Sequence, residues 1–91
     1  MIPFHFLYEE KEYKVVRNPV AKGNYFNIEF FKIPTSPVIL DIFDLFGRTI
    51  KSIHHSGTED HVISFDLHIP GFYLLRLYNN GRTYFDKLIV D

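Results

Sequence analysis

The sequence predicts an all-β sandwich of about seven antiparallel strands, and three observations carry that prediction. Gly, Pro, Asn and Asp punctuate the chain roughly every eight to twelve residues, the rhythm of short strands rather than of alternating strands and helices. Between those marks large apolar side chains alternate with polar ones. Ten Phe and six Tyr supply rings that suit a pleated, half-buried surface. Each buried ring removes roughly 150–250 Å² from water, which matters because a single domain of this size buries only ~60–65% of its unfolded surface.

The elements follow in order. A first strand is expected over residues 12–16, stopped by Asn18-Pro19. After the turn Ala21-Lys22-Gly23-Asn24, residues 25–30 place Phe26, Ile28 and Phe30 on one face. Pro34-Thr35-Ser36-Pro37 breaks the chain, since two prolines remove donors and fix φ. Residues 38–44 follow, with Val38, Leu40 and Ile42 alternating inward past Asp41. Asp44-Leu45-Phe46-Gly47 reads as a hairpin turn into residues 48–53. The polar loop Ser56-Gly57-Thr58-Glu59-Asp60 leads to residues 61–67, where Ile63, Phe65 and Leu67 share a face. Pro70-Gly71 turns the chain into residues 72–78, and Asn79-Asn80-Gly81 makes a tight hairpin into residues 82–90. Asn-Gly is a strong hairpin signal because both residues tolerate φ > 0. No segment has a useful helical face. Residues 1–12 read as a lead-in or linker, with an extra edge strand as the other option, and residues 13–91 as the domain. Seven short antiparallel strands in about 80 residues make an immunoglobulin-like sandwich the expected architecture, with a β-barrel of similar size as the alternative.

Composition excludes several functions. The net charge of −1 and the lack of any run of Lys or Arg leave no electrostatic footprint for nucleic acid. With no cysteine, thiol and iron–sulfur chemistry are ruled out. The longest apolar stretches are far too short to span a bilayer. The opening residues lack the basic and apolar regions of a signal peptide. Export information is therefore expected to have been removed, or the chain to be an excised part of a longer one.

Candidate chemistry is sparse. His54 and His55 end one expected strand, His61 begins the next, and His68 lies beyond. Metal ligands must converge to within ~2 Å of one ion, whereas adjacent strand residues point to opposite faces, so solvated histidines are the expectation. Ser36, Ser52, Ser56 and Ser64 lack a nucleophile-elbow context. Asp41, Asp44 and Asp66 are expected at strand ends, in turn hydrogen bonds. Glu59 and Asp60 offer too few oxygens to prefer calcium over a solvated turn. No glycine-rich loop opens a helix, so nucleotide binding has no basis. Neither catalysis nor a cofactor is expected. Outward tyrosines either cover the sandwich surface or back the lead-in, or else they form a partner or sugar surface, since aromatics are enriched in interface centres. An adhesive or carbohydrate-binding sandwich using Tyr78 or Tyr84 is one further reading.

Four motifs stand in order: Val15-Val16-Arg17-Asn18-Pro19, Ile42-Phe43-Asp44-Leu45-Phe46-Gly47-Arg48, Gly71-Phe72-Tyr73-Leu74-Leu75-Arg76-Leu77, and Lys87-Leu88-Ile89-Val90. Each alone is weakly specific. Together, over residues 13–91, they resemble the type A C-terminal sorting domain of the type IX secretion system of Bacteroidetes. That family reads as a Pro-Asn-Pro start, a D-x-x-G-R hairpin, a G-x-Y strand and a Lys-plus-aliphatic ending. Arg17 stands where the family has its first proline, and the connection 68–71 is a residue or two shorter. The resemblance implies a non-catalytic address, read by the outer-membrane translocon, a shuttle protein and a sortase. The sortase commonly removes the domain and joins the cargo to anionic lipopolysaccharide. It implies passage through the periplasm to the outer membrane, cell surface or medium, with membrane contact only through protein partners. A retained surface component or sensor of the same system is the alternative. On this resemblance Gly71, Tyr73, Lys87, Leu88, Ile89 and Val90 are the expected recognition residues. Asn18, Pro19, Asp44, Gly47 and Arg48 are expected to maintain the shape. The last strand is also expected to be able to pair with a receptor edge, and the domain to be a monomer or an edge-paired dimer.

Overall fold

Alternation and turn chemistry place seven strands in two sheets of a sandwich. They are β1 (Tyr13–Val16), β2 (Tyr25–Phe30), β3 (Val38–Phe43), β4 (Thr49–His55), β5 (Val62–Asp66), β6 (Gly71–Asn79) and β7 (Arg82–Val90). The structure is a computed structural model and describes residues 11–16, 20–56 and 61–91. One sheet has the order β1-β2-β5 and the other β4-β3-β6-β7, with every strand pairing antiparallel. The expected all-β, immunoglobulin-like sandwich is what forms. Strand ends differ from expectation by a residue or two: β4 runs on through His54 and His55, and β6 starts at Gly71 itself.

The inward positions predicted by period two are the core. Phe26, Ile28, Val38, Leu40, Ile42, Leu75 and Leu88 are wholly buried, and no buried residue is polar or charged among those described. Phe26 and Phe65, register partners on β2 and β5, stack at 5.4 Å, a geometry that adds to the area they bury. Asn80, at φ 52°, closes the two-residue turn between β6 and β7. The β3–β4 pairing slips between Ile42 and Phe43, because Ile42 faces Lys51 while Phe43 faces Thr49. A bulge of this kind bends a strand and increases its twist.

Two features tie the sheets together at their margins. Beyond β1 the chain reaches the opposite sheet, where Val20 bridges Val90 in parallel. Val20 N donates to Ile89 O (3.0 Å) and Asp91 N to Val20 O (2.9 Å). Each outermost strand of the larger sheet also turns charge toward the smaller sheet. On β4, Lys51 Nζ donates to Asp66 O at 2.9 Å and to Asp66 Oδ1 at 3.1 Å. On β7, Asp86 accepts from the Tyr13 hydroxyl at 2.6 Å and from Lys11 Nζ. Burial first, and then the Asp86 carboxylate, push the Tyr13 hydroxyl well above the usual tyrosine range. Inward-pointing charges on edge strands discourage edge-to-edge pairing.

Candidate functional site

The D-x-x-G-R segment folds as a closed turn because one carboxylate serves several donors. Asp44 Oδ1 accepts from the backbone N–H of Phe46 and of Arg48, both at 2.9 Å, and Oδ2 accepts from Arg48 Nε at 2.7 Å. Gly47 N donates to Asp44 O at 3.1 Å while Gly47 takes φ 83°, a conformation that costs an L side chain about 1–2 kcal/mol. Partial desolvation raises the Asp44 carboxyl, but the Arg48 and Phe46 amides and the guanidinium outweigh it and hold the group below the ordinary carboxylate range. Leu45 and Phe46 are left at the turn's apex, 73% and 88% exposed.

The G-x-Y segment works the same way, one residue shaping the backbone and another holding it. Gly71 enters β6 at φ 149°, a region that disfavours any residue with a Cβ. Two residues on, Tyr73 faces the core and its hydroxyl donates back to Ile69 O. A tyrosine near the start of a strand that reaches back to the preceding corner is a known device of immunoglobulin-like sandwiches. Tyr73 therefore fixes the 69–71 connection.

The terminal segment alternates. Leu88 and Val90 are buried, Ile89 is half-buried and Lys87 is exposed. Lys87 Nζ lies 4.8 Å from the centre of the Phe72 ring. Register places Phe43, Leu74 and Lys87 in one row across β3, β6 and β7. Asp44, Leu45, Phe72, Tyr73 and Lys87 line one open groove of about 400 Å³. Phe46, Arg48, Ile69 and Gly71 line another of about 270 Å³ that shares Leu45 and Phe72 with the first. The second, third and fourth motifs thus meet at one end of the four-stranded sheet. Val20, just past the first motif, pairs at that end too, since Val90 also faces Gly71. Asn18 and Pro19 themselves lie outside the described residues, as do Glu59, Asp60 and the lead-in residues 1–10.

Two sequence expectations need correction. Asp41 lies in the middle of β3, not at a strand end, on the outer face of the sheet. It accepts from Arg76 (2.8 Å) and Ser52 (2.7 Å), and those bonds, the guanidinium's first, hold its carboxyl below the ordinary range. Tyr84 is buried at 6% exposure, with its ring edge-on to Tyr13 at 5.6 Å, so of these two tyrosines it is Tyr78 that faces solvent.

The outer edge of β7 carries contacts of its own. Ile89 O accepts from Val20 N, and Phe85 O accepts from Lys11 Nζ at 3.1 Å. A receptor strand pairing there has to displace the chain's own N-terminal segment. His54 and His55 fall on opposite faces of β4, and His68 pairs with Asp66 at 2.8 Å. No group of three or more His, Cys, Asp or Glu side chains converges among the described residues.

Sequence reasoning missed the surface formed by Leu45, Phe46, Phe72 and Phe85. A signal was available: two large apolar residues at the apex of a hairpin turn cannot both reach a core.

Residues 15–91 match the family described as the secretion system C-terminal sorting domain. No curated protein matches the chain significantly.

Proposed function

The chain belongs to the secretion system C-terminal sorting domain family, and on that footing we propose that the folded sandwich is the address an outer-membrane translocon reads. Members of the family are C-terminal sorting signals for type IX secretion, which act through contact with secretion-system proteins and direct export to the cell surface or medium. The finer reading is that the domain folds in the periplasm, engages the translocon and a shuttle protein, and is met at the surface by a sortase that attaches the cargo. The observation that supports it is the meeting of separate motifs at one end of the four-stranded sheet. There the 44–48 turn, the Gly71 corner and Lys87 line two adjoining grooves.

Gly71, Tyr73, Lys87, Leu88, Ile89 and Val90 act as a unit in this reading. Tyr73, Leu88 and Val90 hold the terminal strand against the core, Gly71 sets the corner, and Lys87 with the outer side of Ile89 reaches the surface. Asp44, Gly47 and Arg48 keep the neighbouring turn closed. The test is a fusion of the full chain to the C-terminus of a periplasmic reporter in a cell with a working type IX system. The fusion is expected outside the cell, and the same fusion lacking residues 87–91 in the periplasm. Normal export of the truncated fusion overturns the proposal.

A further inference from the structure

The two sheets differ in what they show to solvent. The outer face of the three-stranded sheet is largely polar, with Lys14 3.9 Å from Glu29 and Ser64 bonded to Asn27 at 2.6 Å. Antiparallel sheets ordinarily have one such solvated face. The four-stranded sheet does not follow suit. Eight of the twelve exposed large hydrophobic side chains among the described residues lie on its outer face or on the loops at its motif end. Leu45, Phe46, Phe72, Leu74, Tyr78 and Phe85 dominate this surface, each at least 40% exposed. Exposed apolar side chains concentrated on one face in this way mark an interaction site.

Charge on the same surface has a pattern. Arg48 lies 5.7 Å from the Phe46 ring, Arg76 4.9 Å from Phe43 and Lys87 4.8 Å from Phe72. On this surface Asp44 and Asp41 are each bonded to an arginine. Rings flanked by cations favour a partner that brings aliphatic side chains to the rings and carboxylates to the cations.

We propose that the outer face of the four-stranded sheet, with the 44–48 turn, docks a protein surface of mixed aliphatic and acidic character. This deepens the sorting reading and rests on it: the occupant is a component of the export machinery. Three fusions of the full chain to a periplasmic reporter test it, each checked for an unchanged thermal unfolding midpoint. Phe46→Ser and the pair Phe72→Thr with Phe85→Thr are expected to lower export at least tenfold. Tyr25→Thr with Val62→Thr, on the other sheet, is expected to leave it unchanged. Export of both face variants at the parent level overturns the docking face while leaving the sorting reading intact. Retention of the parent fusion in the periplasm overturns the sorting reading itself. For the charge, Lys87→Glu is expected to lower export at least tenfold and Lys87→Arg to preserve it; equal export of the two overturns the acidic partner. Sedimentation of the isolated chain and flotation with anionic phospholipid vesicles cover the other occupants. A dimer, or vesicle binding, that is lost on Phe72→Thr assigns the face to a second copy or to lipid and overturns the proposal.

Discussion

Leu88→Ala separates shape from recognition at the terminal strand. Leu88 is wholly buried and faces Tyr73 across β6 and β7. The change removes three carbons, and at ~0.8 kcal/mol per buried CH₂ the transfer loss is ~2.4 kcal/mol. Incomplete collapse of the cavity brings such sites to ~2.7–5 kcal/mol. A domain of this size has only about 5–14 kcal/mol in all, at ~0.05–0.15 kcal/mol per residue. The unfolding midpoint should fall by at least ~10 °C, at ~4–8 °C per kcal/mol. Ile89, the next residue, is half-buried on the other side of the strand, and Ile89→Ala should cost less than ~1.5 kcal/mol. Urea unfolding followed by circular dichroism measures both. Equal losses, or a larger loss at Ile89, would refute the inward register of β7. If the prediction holds, failed export of a Leu88 variant reports unfolding and not a lost contact.

Two further outcomes follow from the geometry. Gly71→Ala meets open space around its new Cβ, so its cost is backbone strain alone, about 1–3 kcal/mol; a urea midpoint equal to the parent's would show that the corner relaxes freely. Asp41, Asp44 and Asp66 all have carboxyls held below their ordinary value of 3.8. Depressed folded-state values mean the unfolded chain takes up protons first as pH falls. The stability they contribute is present above about pH 5 and is lost as pH drops through 3.8 and below. Urea midpoints between pH 6 and pH 3 should therefore fall, and Asp41→Asn should flatten part of that decline; an equally steep decline in the variant would exclude Asp41 as a contributor.

The strands are legible in the sequence because local chemistry and burial agree in them. Ile63 and Phe65 alternate inward on either side of Ser64, and Asn80-Gly81 demands a hairpin. Long-range partners are not legible. The parity of β3 already turns Asp41 outward, but Arg76 lies 35 positions away, and only the pairing of β3 with β6 brings it near. Tyr78 and Tyr84 look equivalent until register sends one outward and the other inward. Leu45 and Phe46 show the converse: hydrophobicity suggests burial, and the turn that holds them overrules it. The passage of the chain from β1 to Val20 on the other sheet leaves no mark in periodicity, since a single bridge has no period.

That bridge has a mechanical consequence. Val20 sits between Ile89 and Asp91, and runs parallel to them. Tension applied at residue 11 and at residue 91 therefore slides the two segments past one another along their length. Both hydrogen bonds bear the load together instead of breaking in turn, as they would in a hairpin peeled from its open end. A chain stretched between those two points loads this clasp in shear before the core behind it comes apart.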